Sequence, residues 1–552
     1  MVMRIICLFL LGILMTGCKD EKTFPTESFE PLLDLNFSNV ERDSMQDALD
    51  SNLEGYKKLH SRRLDNGTPP AFNFDPRYSG FRIDTNQQAI DWKLPLNIKL
   101  PESADSIAFL SVAELSNLIK NQKITSQELT QIYLSRLKKF GDTLQCVITI
   151  TEQLALEQAK RADQEISAGN YRGPLHGIPY GLKDLFSVNG YKTTWGAAPY
   201  KDQVINTDAT VYKKLTEAGA VLVAKLSLGA LAWGDVWYEG KTKNPWDLEE
   251  GSSGSSAGSA SATAAGLVAF AIGTETHGSI VSPATRCGLT GLRPTFGRVS
   301  RTGGMNLSWT MDKIGPICRT AFDCALVFNA IKGADGVDQS AVDAPFNYET
   351  LSTLKGLKIG YFEKLFLEKY DRQRDDVKVI AILQSLGAKM KSIELPDYPR
   401  EALNLILNVE AAAFFDELTR SNKDSLMVRQ IKRSWPNQFR QARFVPAVEY
   451  INANRLRRQL IEELNQLFSE FDMIVAPSFR GNQLLFTNLT GHPCVVLPNS
   501  FERNGKPTSI TFLGNLYEED KILAVARLYQ ERTDYHEKHP ELFYDAALHA
   551  DL

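Results

Sequence analysis

The stretch that decides the fold of this chain lies at residues 251–295, where two glycine- and serine-rich sequences follow one another. The first reads Gly254-Ser-Ser-Ala-Gly-Ser259, and the second reads Gly273-Thr-Glu-Thr-His-Gly-Ser-Ile280. Taken alone, a segment of this composition is more often a flexible linker than a catalytic turn. Here, however, the apolar run 264–272 follows it without a break and Asn244-Pro-Trp-Asp247 precedes it. Structured chain on both sides favours a catalytic turn.

A lysine precedes both sequences, in the stretch Gly173-Pro-Leu-His-Gly-Ile-Pro-Tyr-Gly-Leu-Lys-Asp184. A lysine, a glycine-serine turn and a second glycine-flanked serine are the groups that acyl transfer by a serine nucleophile with a lysine base requires. This order predicts an amide hydrolase. Hydroxyl and amine groups can carry the proton transfers themselves, so we expect neither a metal nor a cofactor.

From about Ser111 to about Arg532 the chain resembles the amidase signature family, and residues 251–295 look like its long serine- and glycine-rich signature. Further matches are the stretch around Lys183, Asn244-Pro-Trp-Asp247, Cys287-Gly-Leu-Thr-Gly-Leu-Arg-Pro-Thr295, Phe296-Gly-Arg-Val-Ser300 and Asp312-Lys-Ile-Gly-Pro316. The resemblance implies an α/β fold in which helices cover both faces of a central mixed β-sheet. The alternation of helical patterns with short apolar strands along the chain also indicates an α/β fold with a buried sheet.

The resemblance assigns the chemistry to three side chains. Ser279 would be the nucleophile, Ser255 a bridging serine that follows a cis peptide bond, and Lys183 the terminal base. Ser279 would lose its proton to Ser255 while Ser255 passes one to Lys183, which must therefore be neutral at rest. An unperturbed lysine has a pKa of about 10.4, so neutrality near pH 7 requires a shift of roughly three units. Burial among hydroxyl groups would give this shift, and the adjacent Asp184 should then point away from the amine.

Two more groups of residues are expected to support these three. Backbone N–H groups would surround the developing oxyanion, and the resemblance places them on Thr276, His277, Gly278 and Ser279. The hydroxyls of Ser256 and Thr274 would orient Lys183 and the glycine-serine loop, respectively.

The chain departs from the family pattern at two positions. The family commonly has glycine where this chain has His277, and many members have arginine where it has Val281. The imidazole of His277 could narrow the acyl pocket or bind the substrate, or it could be tolerated because only its backbone N–H is used. Val281 removes a charge near the predicted site, so the substrate preference of other members does not carry over.

The first eighteen residues predict export, because Arg4 precedes the apolar run 5–15 and small residues then lead to Cys18. The run is too short to span a bilayer as a stable helix. Met15-Thr-Gly-Cys18 resembles the lipobox of bacterial lipoproteins, with Met15 in place of the usual leucine, so we expect lipid on Cys18. An ordinary cleaved signal or a short membrane anchor are the alternatives. The lipobox predicts a protein anchored to the bacterial cell envelope.

We therefore divide the chain into a lipoprotein-type signal peptide at residues 1–18, a tether with a helical and irregular covering segment at 19–110, and an amidase signature domain at 111–545. Apolar spacing predicts a helix at 39–63 and amphipathic helices that begin near Val112 and Ser126. Short apolar runs predict buried strands at 220–224, 357–361 and 471–476.

Composition excludes several kinds of partner. The 62 Lys and Arg nearly balance the 66 Asp and Glu, and no basic block occurs, which argues against nucleic-acid binding. Neither histidines nor cysteines have metal-ligand spacing, and no Cys-x-x-Cys pair occurs. We expect buried, apolar roles for the widely spaced cysteines, which are Cys146, Cys287, Cys318, Cys324 and Cys494.

Three functions remain. The first is an exported amidase that hydrolyses a small or peptidic carboxamide, at a C–N bond outside the peptide backbone, to an acid and ammonia or an amine. The second is a protein like the A subunit of the glutamyl-tRNA(Gln) or aspartyl-tRNA(Asn) amidotransferases, which the leader peptide argues against. The third is an inactive amidase scaffold that serves as a lipid-anchored binding protein. The sequence leaves open the amide, the oligomeric state and the membrane leaflet.

Overall fold

The computed structural model describes residues 24–370 and 373–544. The predicted signal peptide and its lipidation site, Cys18, lie outside the described residues. The chain divides into two compact units, Met1–Asp65 and Asn66–Leu552. No helix in the described part of the chain is both long and apolar enough to cross a bilayer.

The first unit contains helix α1 (Asn39–His60), which confirms the helix predicted there. The side chain of Ser38 accepts the backbone N–H of Glu41, and the Glu41 carboxylate accepts the N–H of Ser38 at 2.7 Å. This reciprocal capping satisfies two N–H groups that a helix start leaves without partners. Arg42 of α1 forms an ion pair at 2.8 Å with Glu30, which precedes the helix in the chain.

The second unit contains the other helices and all the strands of the described residues. Its helices are α2 (Ala104–Phe109), α3 (Val112–Lys120), α4 (Ser126–Leu144), α5 (Glu152–Ser167), α6 (Thr210–Glu217), α7 (Ala257–Ala264), α8 (Val281–Cys287), α9 (Ala321–Ile331), α10 (Glu363–Leu367), α11 (Gln373–Ser385), α12 (Arg400–Phe414), α13 (Asp416–Arg420), α14 (Trp435–Ala442), α15 (Ala447–Phe468), α16 (Gln483–Leu489) and α17 (Glu519–Gln530). Its strands are β1 (Val147–Ile150), β2 (Pro179–Lys183), β3 (Val221–Leu226), β4 (Val236–Trp237), β5 (Gly240–Lys241), β6 (Lys243–Asn244), β7 (Asp247–Gly251), β8 (Phe270–Glu275), β9 (Thr290–Arg293), β10 (Lys313–Cys318), β11 (Lys358–Phe362), β12 (Lys389–Ile393), β13 (Met473–Pro477), β14 (Cys494–Phe501) and β15 (Pro507–Leu513).

Eleven of these strands form one mixed sheet, in the order β1-β3-β2-β8-β10-β9-β14-β15-β13-β11-β12. Strands β3, β2 and β8 are mutually parallel, as are β13, β11 and β12, whereas the strands between β8 and β13 pair antiparallel. Helices flank this sheet, so the predicted α/β fold with a central mixed sheet is confirmed. The strands predicted at 220–224, 357–361 and 471–476 correspond to β3, β11 and β13.

The sheet places the chemically important segments at one edge. Strands β2 and β8 are parallel neighbours with Leu182 opposite Ile272, so their carboxyl ends meet at the same edge of the sheet. Lys183 is the last residue of β2, and Glu275 is the last residue of β8. Every residue of α7 is buried. The glycine-serine stretch is therefore a packed turn and helix, and the linker interpretation is wrong.

A buried ion pair joins the segment after β9 to the start of α17. Glu519 accepts the Arg298 Nε at 3.2 Å and the backbone N–H of Thr295 at 2.8 Å, and both charged side chains are fully buried. Removing one partner of such a pair leaves an uncompensated charge in the interior. On the same helix, the Arg527 and Glu531 pair is exposed to solvent at its carboxylate.

We predict that Glu519→Gln lowers the free energy of unfolding by about 3 kcal/mol, because Arg298 keeps its charge and loses its carboxylate. The matched control Glu531→Gln should lower it by less than about 1 kcal/mol, since exposed pairs contribute little. Urea denaturation of both variants measures the difference. Equal destabilisation by the two substitutions would contradict a structural role for the buried pair.

Candidate active site

The amine of Lys183 lies in a ring of hydroxyl groups at the end of β2. Its Nζ donates hydrogen bonds to Ser255 Oγ at 2.9 Å, Ser256 Oγ at 3.0 Å and Thr274 Oγ1 at 2.8 Å. These three are the bridging serine and the two supporting hydroxyls expected from the sequence. Each hydroxyl can donate or accept, so the three partners suit an ammonium group with three N–H donors. They equally suit a neutral amine, whose two N–H groups donate and whose lone pair accepts one O–H.

The surroundings of Lys183 favour its neutral form. The side chain is fully buried, and this burial lowers the pKa of Lys183 well below its ordinary value. The charges of Asp312 and Glu275 act in the opposite direction and are weaker. No carboxylate among the described residues forms an ion pair with the amine. Desolvation without a counterion is the arrangement that keeps a lysine deprotonated near neutral pH.

Asp184 points away from Lys183, as expected from the sequence. Its carboxylate forms an ion pair with Lys225 on β3 at 2.6 Å, and both side chains are fully buried. It also accepts the Thr194 hydroxyl at 2.6 Å and the Thr194 N–H at 2.8 Å. Residues on a strand alternate between its two faces, so a carboxylate directly after Lys183 is directed to the opposite side. Sequence reasoning missed Lys225 as its partner.

The glycine-serine turn fixes Ser255 beside the amine. The Gly254–Ser255 peptide bond is cis, and the carbonyl oxygen of Ser255 accepts the N–H of Gly229 at 3.3 Å. A Cβ atom at Gly254 would overlap the carbonyl oxygen of Gly234, so only glycine fits this close approach. Ser256 then begins α7, and its hydroxyl both accepts the N–H of Thr274 and donates to the Thr274 carbonyl, each at 3.1 Å.

Ser279 lies in the turn between β8 and α8, next to the same serines. Its carbonyl oxygen accepts the N–H of Ser256 at 3.3 Å, which ties the two glycine-rich turns together. Its side chain is partly exposed, and its hydroxyl has no hydrogen-bond partner within residues 24–370 and 373–544. The carbonyl of Gly278 starts α8 by accepting the N–H of Ser282 at 2.8 Å. A serine at a helix start with a free hydroxyl is suited to attack a ligand.

Glu275 stabilises the turn that carries Ser279 through hydrogen bonds to its backbone. Its carboxylate accepts the backbone N–H groups of Ile280 and Val281, both at 2.9 Å, and pairs with Arg293 at 2.9 Å and Asn488 at 2.8 Å. Burial alone would raise the pKa of Glu275, but the Arg293 charge and these hydrogen bonds outweigh it and lower the pKa to about 2. The carboxylate is therefore charged at neutral pH, and its hydrogen bonds hold the turn that carries Ser279.

Asp312 holds the other side of the turn. It accepts the Thr276 hydroxyl at 2.5 Å and the N–H groups of Leu307 and Ser308 at 2.8 and 2.9 Å. Burial raises the pKa of Asp312. Sequence reasoning assigned no role to Glu275 or Asp312, although both lie inside the matched motifs. An acidic residue in a segment predicted to be buried needs a partner, and that rule was the available signal.

His277 is half-buried, and burial lowers its pKa to about 4, so the imidazole is neutral at pH 7. Val281 is fully buried, and its N–H is one of the two that Glu275 accepts. The position therefore serves the start of α8 in this chain. Neither of the two departing side chains, His277 and Val281, carries a charge at neutral pH.

The other histidines and the cysteines considered in the sequence show no arrangement for metal binding among the described residues. His176 lies 3.1 Å from Glu165, and His492 shares a hydrogen bond with Thr490 at 2.8 Å. No cluster of three potential metal ligands occurs among the described residues. All five cysteines of the described residues are free and buried, which confirms the burial predicted for them.

Comparison with known proteins identifies the family of this chain. A model of the family described as Amidase matches residues 128–523, which is more than half of the chain. The chain belongs to the amidase signature family. It is thus an amidase-family hydrolase, and the fold implied by its signature sequence is the fold observed.

Two kinds of relative are similar to this amidase. The A subunit of the glutamyl-tRNA(Gln) amidotransferase of Coxiella burnetii (strain Dugway 5J108-111) is 33% identical over 480 residues, covering 78% of this chain and 99% of that protein. The native peptide amidase of Stenotrophomonas maltophilia is 29% identical with a TM-score of 0.69, covering 77% of this chain and 96% of that one. An amidase family protein of Bacillus anthracis str. Ames is 28% identical with a TM-score of 0.70, covering 79% and 93%.

We predict that kcat/KM of this amidase for an uncharged amide falls on acidification through a single ionisation, because Lys183 accepts a proton only when neutral. Since burial lowers the pKa of Lys183, full activity should extend well below pH 10.5 and be lost as the pH drops through the lowered pKa. The pH profile of kcat/KM from pH 4 to 10 measures this.

The control is His277→Ala, because burial also places the pKa of His277, about 4, on the acidic side. The acidic limb should keep its midpoint in this variant. If the limb disappears with the imidazole, or if wild-type activity does not depend on pH, Lys183 is not the titrating base.

Proposed function

We propose that this protein hydrolyses a carboxamide to a carboxylic acid and ammonia or an amine, through an acyl-enzyme on Ser279. The single observation that carries the proposal is the buried Lys183 amine, which is bonded to Ser255, Ser256 and Thr274 and forms no ion pair with any described residue. A stable protein interior disfavours such an uncompensated amine unless it stays neutral, and a neutral amine is a base. In the proposed reaction this base accepts the proton that Ser279 loses, by way of Ser255.

Acylation follows from the order of the groups. Neutral Lys183 takes the Ser255 proton while Ser255 takes the Ser279 proton, and the Ser279 oxygen bonds to the amide carbonyl carbon. The negative charge that develops on the carbonyl oxygen is stabilised by backbone N–H groups, for which the candidates are Thr276, His277, Gly278 and Ser279. The C–N bond then breaks, and the relay returns its proton to the departing nitrogen. Ammonia or an amine leaves, and Ser279 carries the acyl group.

Deacylation reverses the relay with water in place of the amine. A water molecule loses one proton to the Ser255 and Lys183 pair as its oxygen bonds to the acyl carbon. The Ser279 oxygen regains that proton when its bond to carbon breaks. The carboxylic acid leaves, and Lys183 is neutral again. Every step uses hydroxyl and amine groups that the chain itself supplies.

We predict that Ser279→Ala lowers kcat by about 10⁴-fold or more, and that Lys183→Ala costs at least as much as Ser255→Ala, because members of a relay fail as a unit. The measurement is ammonia release from a panel of amides, aryl anilides and peptide amides, with circular dichroism as a check on folding. The matched control is Ser282→Ala, which removes a hydroxyl bonded to Ser253 at 2.7 Å and should change kcat by less than about threefold.

Wild-type rates in Lys183→Ala would rule out the assigned base. Absence of turnover on every amide, together with no labelling of Ser279 by an acylating phosphonate, would support the inactive, lipid-anchored scaffold instead.

The relatives favour a second candidate. The A subunit of a glutamyl-tRNA(Gln) amidotransferase matches 78% of this chain at 33% identity, so a role in moving an amide nitrogen to an acceptor is an alternative. The predicted leader peptide argues against it, because an exported protein does not meet aminoacylated tRNA. Ammonia release by the isolated chain favours the hydrolase. Nitrogen transfer to glutamyl-tRNA(Gln), with little free ammonia, would favour the amidotransferase role.

We also propose that the protein is exported and lipid-anchored through Cys18. The support is Met15-Thr-Gly-Cys18 after a short apolar run, together with five later cysteines that are buried and unavailable for lipid. We predict that cells incorporate labelled palmitate into the wild-type protein and that Cys18→Ser abolishes this incorporation while Cys146→Ser does not. Equal labelling of wild type and Cys18→Ser would contradict the anchor.

A further inference from the structure

A short turn wraps the glycine-serine loop that carries Ser255. The N–H of Gly229 donates to the Ser255 carbonyl at 3.3 Å, and the N–H of Trp233 donates to the Gly229 carbonyl at 3.3 Å. At the end of the turn, the carbonyl oxygen of Gly234 packs against Gly254 so closely that no side chain fits there. A group placed over Gly234 is therefore a near neighbour of the proposed catalytic loop.

The segment that leads into α14 covers this turn. The Trp435 indole donates to the Leu231 carbonyl at 2.8 Å, which fixes the segment to the turn. The Arg429 guanidinium lies 4.6 Å from the centre of the Trp233 ring. Its Nη1 is also 3.3 Å from the position that a Cβ atom of Gly234 would occupy. The Arg429 guanidinium therefore lies against Gly234, the glycine at the end of the turn.

Arg429 has no acidic partner. Within the described ranges, no carboxylate lies within ion-pair distance of its guanidinium. The acidic residue next to Gly234, Asp235, accepts the Ser253 N–H at 3.1 Å instead. Two arginines farther along the chain are paired: Arg440 of α14 with Asp424, and Arg443, directly after α14, with Asp416.

The surrounding sequence strengthens the positive charge. No acidic residue occurs between residues 425 and 448, and besides the paired Arg440 and Arg443 this stretch has three basic residues, Arg429, Lys432 and Arg433. Lys432 and Arg433 are exposed. A half-buried guanidinium in a positive neighbourhood attracts anions.

We propose that Arg429 binds a carboxylate of the substrate, so that the enzyme selects amides that carry a negative charge near the scissile bond. This inference rests on the proposed amide hydrolysis and names its substrate class. A guanidinium that lies on an aromatic face keeps its planar fork free for two parallel hydrogen bonds to a carboxylate. Arg429 is only half-buried, and the Gly234 beneath it packs on Gly254, so a carboxylate bound at the exposed side of the guanidinium would lie beside the catalytic loop.

The test compares three amides of similar shape that differ in charge: succinamate, 4-methylpentanamide and 4-aminobutanamide. Wild type should prefer succinamate to the neutral amide. In Arg429→Gln the ratio of kcat/KM for succinamate to that for 4-methylpentanamide should fall about 10- to 100-fold, mainly through KM. In Arg429→Glu the preference should move toward 4-aminobutanamide. The matched control Lys432→Gln, one exposed cation nearby, should leave the ratios unchanged.

A second pair locates the carboxylate relative to the bond that breaks. N-acetylglycine carries its charge on the leaving amine, and N-isobutylacetamide is its neutral counterpart. Loss of discrimination in Arg429→Gln for either pair supports the proposal and identifies the side. An equal loss on charged and neutral amides would mean that Arg429 only supports the fold, and unchanged ratios in both pairs would also overturn the proposal.

Failure of the proposed function can be separated from failure of this inference. If wild type hydrolyses no amide, hydrolysis is wrong, and calorimetry of succinamate binding then tests Arg429 alone. The dissociation constant of succinamate should be at least about 10-fold lower for Ser279→Ala than for the double variant Ser279→Ala/Arg429→Gln. Equal affinity, or no binding by either variant, would refute the carboxylate site.

Discussion

The structure depends on a buried amine that has hydroxyl neighbours in place of a counterion. Lys183 loses all contact with solvent, and the three groups that it reaches are the oxygens of Ser255, Ser256 and Thr274. If a carboxylate stood at any of these positions, the amine would be an ammonium ion and could not accept a proton. The lack of a carboxylate at these positions is what turns a lysine into a base. The rest of the site is arranged around this requirement.

Each nearby acid is held by another partner. Asp184 pairs with Lys225 on the opposite face of β2, Glu275 pairs with Arg293, and Asp312 accepts the hydroxyl of Thr276. These interactions keep the carboxylates buried without bringing them to Lys183, and two of them also hold the turn of Ser279. Buried polar groups that are fully bonded specify one arrangement of the interior. The contacts that position Ser279 therefore also keep carboxylates away from Lys183, which favours its neutral form.

Much of this could be predicted from the sequence, because the signals are local. The motifs and the family that they resemble assigned roles to Lys183, Ser255 and Ser279, and the need for a neutral Lys183 required Asp184 to point away. The contacts of Lys225, Arg293 and Arg429 could not be predicted, because they join segments far apart in the chain. Hydrophobic periodicity describes single helices and strands and does not indicate which of them meet. Glu275 lay inside a recognised motif, yet its partner Asn488 is 213 residues away in sequence. Long-range pairing of buried charges is decided by topology, which single-sequence patterns describe only coarsely.

The charge on Lys183 at rest is the decisive quantity, and NMR can measure it at this one amine. Protein labelled with ¹³Cε and ¹⁵Nζ lysine reports the protonation state of each lysine, and the Lys183 signal is assigned by its loss in Lys183→Met. We expect the chemical shifts of a neutral amine at pH 7, with protonation only at lower pH. A Lys183 signal with ammonium shifts at pH 7 in the folded, active protein would contradict the role of this lysine as the base.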